Sequence, residues 1–225
     1  KTSHHGLGGA PTMDKLLERL PARSRIAVIR LRSLGDCVLT TPALSLLKAY
    51  RPDLNVSVIV EPRFAGIFEG NPDVDVISER VSRPHLVLNL HGGTRSMWLT
   101  AFSGAKYGVG FGHHKFSFVY THKIPRAQEI LGEERTVHTA EHMASAMFWL
   151  GAGRMEIPRA RLFAPVVPAE KPYAVIHALA SAAHKSWPAE RFLAIARSLR
   201  GVEPVFIGGP GDDLSPFSEF RTQVN

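Results

Sequence analysis

The chain has 225 residues, of which 44% are hydrophobic and 21% charged, with a formal charge of +7. This composition excludes a disordered chain, a collagen-like repeat and a coiled coil, and no apolar run reaches the roughly 20 residues needed to span a bilayer. The single cysteine, Cys37, permits no internal disulfide and the N-terminus shows no secretory pattern, so a reducing, cytoplasmic setting is expected.

Residues 1–12 are rich in Gly and His, lack periodicity and read as a tag or loose tail. Apolar strands and amphipathic helices then alternate. Ile26–Leu31 reads as a buried strand, and one helix runs from Asp36 to just before Pro52. Asn55–Val60 is a second strand, Pro62–Glu69 a short helix, Val74–Ile77 a third strand and Leu86–Leu90 a fourth. Helices follow near Ser96–Phe102 and over Val137–Leu150. This alternation predicts a parallel sheet with helices on both faces over 13–160. The stretch 161–172 belongs to a proline-rich segment and reads as a linker. From 173 to 225 the alternation restarts with a strand at Tyr173–His177, a helix at Pro188–Leu199 and a strand at Pro204–Ile207. Two strands and one helix are too few to close a core, so the second unit is read as incomplete.

Charge is unevenly spread. From Arg80 to Gln128 there are seven Lys and Arg and no Asp or Glu, while the rest of the chain is balanced. A basic tract of this kind suits an anionic partner, although a solvated face with acids nearby in space is the plainer alternative. A nucleic-acid partner is not expected, because no stacking aromatics are interleaved on a recognisable module.

The segment Arg32-Ser33-Leu34-Gly35-Asp36 sits where the first strand gives way to its helix, the edge at which open α/β folds bind ligands. Asp36 is suited either to cap that helix or to accept a proton from a substrate hydroxyl. Gly208-Gly209-Pro210-Gly211 is either a plain turn or a close approach of backbone to a nucleotide. His138-Thr139-Ala140-Glu141-His142 matches the H-x-x-E-H pattern of inverted zinc proteases, but no downstream metal-carboxylate motif accompanies it.

From Ile26 to Asp36, and again at Thr41-Pro42-Ala43-Leu44, Asn71-Pro72, Asn89-Leu90-His91-Gly92-Gly93-Thr94-Arg95-Ser96, Lys185-Ser186-Trp187-Pro188 and Gly208–Asp212, the sequence resembles the lipopolysaccharide heptosyltransferases. These are family-nine glycosyltransferases. The resemblance implies an α/β protein of GT-B type with two Rossmann-like domains: an acceptor domain first, a nucleotide-sugar donor domain second, and the reaction in the cleft between them. It implies inverting transfer of a heptose, or a related sugar, from an ADP-linked donor to an inner-core glycolipid, without a metal or resident cofactor. Asp36 matches the family's general base and Lys185 its contact to the donor diphosphate. Ser181, Gly209, Asp212 and Asp213 fall near the rest of the donor site. On the acceptor side lie Ser33, Gly35, Thr94, Arg95, His113, His114 and Lys115, where bases would hold an anionic acceptor and draw the protein to the inner-leaflet membrane surface. The chain departs from the family at His177-Ala178-Leu179-Ala180, where a His-Pro-Gly-like turn is usual. A non-catalytic nucleotide-sugar or anion-binding module is the alternative.

Overall fold

A computed structural model of the chain describes residues 14–165, 168–180 and 185–224. The tail at 1–12 and Ser181 therefore lie outside the described residues. The chain divides after Ala164 into two compact units.

Unit 1 is built on a six-stranded, wholly parallel sheet in the order β3-β2-β1-β4-β5-β6. Its strands are β1 (Arg25–Ile29), β2 (Asn55–Ile59), β3 (Val76–Ser78), β4 (Leu86–Asn89), β5 (Tyr107–Phe111) and β6 (His122–Ile124). The central position of β1 explains its unbroken apolar run. A strand covered on both faces needs side chains of one kind on each. Successive residues divide accordingly: Ile26 and Val28 enter the larger core, Ala27 and Ile29 the smaller one on the opposite face. The larger core is closed by α1 (Leu16–Arg19), α3 (Thr41–Tyr50) and α6 (Thr139–Met147). Leu44 and Leu47 of α3 are each 1% exposed, and each such leucine contributes roughly 1.5–3 kcal/mol. The smaller core is capped by α4 (Thr94–Ala101), through Leu99.

The single helix expected after β1 is in fact two, α2 (Leu34–Val38) and α3. The break lies at Leu39 and Thr40. The Thr40 hydroxyl donates to the Asp36 carbonyl and the Thr41 hydroxyl to that of Val38, each at 2.8 Å, and Pro42 in the first turn of α3 has no N–H to offer. The helix expected over 137–150 ends as α-helix at Met147 and continues as one π turn over Phe148–Ala152. The strand β5, the edge strand β6 beside it and the short α5 (Ala127–Leu131) were not anticipated. In β5 the glycines disguise a strand. A Cβ on Gly110 would fall 2.4 Å from the Tyr120 ring, so the bare backbone makes room for that aromatic.

Unit 2 holds a parallel sheet in the order β7-β8-β9, formed by β7 (Tyr173–Ile176), β8 (Glu203–Gly208) and β9 (Arg221–Val224). The third strand adds to the two expected. A small core forms where α7 (Ala189–Ser198) meets the sheet: Ala196, Phe206 and Phe217 are buried, and the two phenylalanine rings stack at 4.3 Å.

Candidate active site

The C-terminal ends of β1, β2 and β4 deliver a group of polar side chains to one edge of unit 1. Arg30 follows β1 directly. Its side chain is only 7% exposed. Nη1 donates to the Leu90 carbonyl at 2.6 Å, which pins the chain after β1 to the chain after β4, and Nη2 lies 2.9 Å from Asp36 Oδ1. Nε has no partner. The second carboxylate oxygen, Oδ2, accepts from the Ser33 hydroxyl at 3.2 Å.

Local backbone sets this arrangement. Ser33, extended at φ −87° and ψ −177°, is the N-cap of α2, so Asp36 falls at the third helical position instead of capping the helix. The side chain of Asp36 remains 42% exposed while Cys37, next along, is fully buried and has its thiol pushed up to about 11, chiefly by burial. One face of this short helix therefore turns into the core and the other presents a held carboxylate to solvent. Gly35 is exposed, with open space where a side chain would project.

The turn after β4 is organised by Asn89. Its buried amide oxygen accepts the backbone N–H groups of His91 and Gly92, both at 3.0 Å, and its Nδ2 donates to Thr100 at 3.1 Å. Gly92 has φ +76°, and a Cβ there would lie 2.7 Å from the His114 ring. The turn delivers His91 to the edge. Its pKa is lowered mainly by burial and then by the charges of Arg30 and Arg32, against opposing influence from Asp36 and Glu61. Thr94 and Arg95 open α4 and are exposed, and Arg95 reaches Glu61 at 3.4 Å.

Beyond β5 lies an aromatic cluster. His142 of α6 stacks on Phe111 with centroids 3.9 Å apart, and His113 and His114 pack edge-on or tilted beside them. His114 Nδ1 shares a hydrogen bond with the Tyr120 hydroxyl at 3.1 Å. Burial first, then neighbouring imidazoles and Arg30, push His114 down to about 4, and His142 behaves alike. His114 is thus a neutral donor or acceptor at pH 7 and not a cation. His113 is exposed, and its pKa is also lowered, mainly by burial. Lys115 is exposed, with its ammonium 5.4 Å from the Phe116 ring.

The H-x-x-E-H segment has a structural role. His138 Nδ1 accepts the Ala140 N–H at 3.2 Å, and Glu141 accepts the His138 backbone N–H at 2.8 Å, a capping box at the start of α6. Arg135 also grips Glu141 and holds its carboxyl down near about 2. Among the described residues no group of three His, Cys, Asp or Glu is placed to hold a metal ion.

In unit 2 the candidate residues follow β7 and β8. Asp212 Oδ2 accepts the Gly209 N–H at 2.7 Å and closes the turn after β8, while Asp213 accepts the Ser215 N–H at 2.9 Å; the Ser215 hydroxyl first, and then that N–H, lower the Asp213 pKa. Both carboxylates are exposed. Lys185 is exposed and lies three residues ahead of Pro188, the N-cap of α7, so it does not share that helix's first turn.

The sequence pattern of glycosyltransferase family 9 (heptosyltransferase) matches residues 80–219. The chain belongs to this family. As a family-nine glycosyltransferase it also shares its fold with solved structures. A family-nine glycosyl transferase from Veillonella parvula superposes with a TM-score of 0.74 at 21% identity, covering 95% of this chain and 70% of the other. The E. coli heptosyltransferase WaaC, solved with ADP-2-deoxy-2-fluoro heptose, gives 0.68 at 16% identity, covering 89% and 76%. The E. coli ADP-heptose lps heptosyltransferase II gives 0.67 at 13%, covering 88% and 72%. Comparison with curated proteins returns no match.

Arg30, Glu61, Asn89, His91 and His142 were not singled out as site residues by sequence reasoning. Asn89 and His91 stood only within a family-like segment and His142 only within H-x-x-E-H, whereas Arg30 carried a physical signal: a charge at the end of an otherwise apolar strand requires a partner.

Proposed function

We propose that this glycosyltransferase moves a heptose from ADP-heptose to a hydroxyl of an inner-core glycolipid, inverting the anomeric centre. The acceptor oxygen forms a bond to the anomeric carbon as the bond from that carbon to the diphosphate oxygen breaks. The electron pair departs with ADP and the hydroxyl proton passes to Asp36. The observation that carries this reading is the Asp36 carboxylate itself, half-exposed at the sheet edge with one oxygen on the buried Arg30 and the other on Ser33. Each oxygen keeps a free lone pair, so the group is oriented and still able to accept. Arg30 acts as a positioning residue, because it fixes the carboxylate without facing solvent. The donor class is suggested by the ADP-2-deoxy-2-fluoro heptose bound to the E. coli relative WaaC and by the ADP-heptose in the name of the E. coli heptosyltransferase II.

On the acceptor side, Arg95 and Lys115 offer charge to its carboxylates and phosphates, while Ser33, Gly35, Thr94, His113 and the neutral His114 offer hydrogen bonds. On the donor side, Lys185 supplies a cation to the leaving diphosphate, and the family resemblance assigns Ser181, Gly209, Asp212 and Asp213 to the nucleotide. The reading assigns no resident cofactor or metal, no nucleic-acid partner, and a place on the cytoplasmic face of the inner membrane. No helix among the described residues is long and apolar enough to cross a membrane.

Replacing Asp36 by Asn keeps the shape and removes the base. Transfer to a glycolipid acceptor should fall by roughly 10²–10⁴-fold in kcat, while ADP affinity measured by calorimetry stays unchanged. An Asp36→Asn enzyme with full transfer activity overturns the assignment.

A further inference from the structure

α4 and its C-cap residue, Phe102, turn two large aromatic rings outward. Trp98 is 53% exposed and Phe102 78%, yet the two stack on each other at 5.3 Å with planes 7° apart. They line an open groove of about 750 Å³ together with Val81 and Leu99, and Arg80 and Arg95 stand in its lining. A contiguous apolar patch on a soluble surface marks a place of contact.

The surroundings identify the contact. The patch lies within the tract 80–128, which holds seven bases and no acid. Glu61, which reaches Arg95 of this groove, is also paired with Arg63, and Glu79 precedes Arg80 in sequence. A second aromatic outcrop stands nearby on the 3-10 turn Ser117–Val119, which packs against α4: Phe118 is 72% exposed. A Cβ on Gly108 would meet both Thr100 of α4 and the Val119 carbonyl, so turn and helix cover the same face of the sheet.

Rings of Trp and Phe set among Arg and Lys are the chemistry of the headgroup layer. The rings enter the boundary between headgroup and acyl chain, and the bases meet lipid phosphates. A symmetric contact with a second copy would instead set this basic tract against itself. We infer that the α4 face docks on an anionic bilayer, with Trp98 and Phe102 entering the interface and Arg80 and its basic neighbours holding the lipid phosphates. The inference rests on the proposed function only in that the acceptor is lipid-borne.

The test needs neither donor nor acceptor. The protein is sedimented with vesicles of phosphatidylglycerol mixed with phosphatidylethanolamine, and separately with vesicles of phosphatidylcholine. Binding is expected to the anionic vesicles and to weaken with salt. The double change Trp98→Ser with Phe102→Ser should weaken it by roughly tenfold or more, and Arg80→Glu by at least about fivefold. Brominated lipid should quench Trp98, and the quenching should vanish in Trp98→Phe, which still binds. Because these residues are exposed, ADP binding and circular dichroism should be unchanged. Equal binding to both vesicle types, no binding to either, or quenching that persists in Trp98→Phe overturns the inference. A dimer that dissociates in the double variant also overturns it and gives the face to a second copy. Vesicle binding without sugar transfer leaves the inference standing and rejects the proposed activity; transfer without vesicle binding does the reverse.

Discussion

Two loops at the ends of parallel strands use aspartate in different ways. After β1, Asp36 is held from outside its own backbone, by the buried guanidinium of Arg30 and the hydroxyl of Ser33. After β8, Asp212 spends an oxygen on the N–H of Gly209 three residues back, and Asp213 likewise closes a turn onto Ser215. The sheet edge and the residue type are the same. The difference is one buried cation in unit 1, anchored across the sheet edge to the Leu90 carbonyl. A carboxylate fixed by side chains is aimed, whereas one fixed by its own turn shapes backbone.

The comparison can be broken most directly at Arg30. Arg30→Met removes the cation and leaves the Leu90 carbonyl without its donor in a buried place, at about 1–3 kcal/mol of stability. Transfer should fall roughly 10–100-fold in kcat with a smaller change in KM for the acceptor, because Asp36 is misaimed and not lost. Steady-state kinetics that show only a KM change, or a variant equal to the parent in both melting and rate, would remove Arg30 from the site.

Acidification probes the same edge more gently. Burial holds His114 and His142 near about 4, below the ordinary histidine value of about 6.5. A base whose pKa is depressed in the folded state takes up protons on unfolding. Its contribution is therefore complete above pH ~6.5 and drains away as the pH falls toward 4. The melting temperature of unit 1 should drop across that window, and His142→Phe, which keeps the stack on Phe111, should flatten the decline. An unchanged decline in that variant would place the acid sensitivity elsewhere.

The smallest effect belongs to unit 2. Asp212→Ala frees the Gly209 N–H in an exposed turn where water takes the acceptor's place, so unit 2 should lose only about 0.5–1 kcal/mol in denaturant melts. A loss as large as that of Arg30→Met would erase the contrast between the loops.

Much of the architecture is written locally. The alternation of apolar strands and helices, the buried run at Ile26–Leu31 and the proline-rich stretch before Tyr173 all announce themselves within a few residues. The break between α2 and α3 also had a signal, Thr40-Thr41-Pro42, a hydroxyl pair ahead of a first-turn proline. β5 and β6 lacked one, because glycine and histidine weaken the apolar pattern, and only the Tyr120 ring shows why Gly110 must be bare. The site divides in the same way. The position of Asp36 at a strand–helix junction is legible from sequence. Its grip by Arg30, the Asn89-built turn and the neutrality of His114 are not.

Sequence by itself determined the period of each element and the order of the units, because helix and strand patterns depend on neighbours a few residues apart. Tertiary structure decided which charges survive as charges. Arg30 meets Leu90 across 60 positions, and His114 is discharged by burial among rings brought from α6 and from beyond β5. Solvation and pairing of this kind are set by distance in space, which no local pattern records.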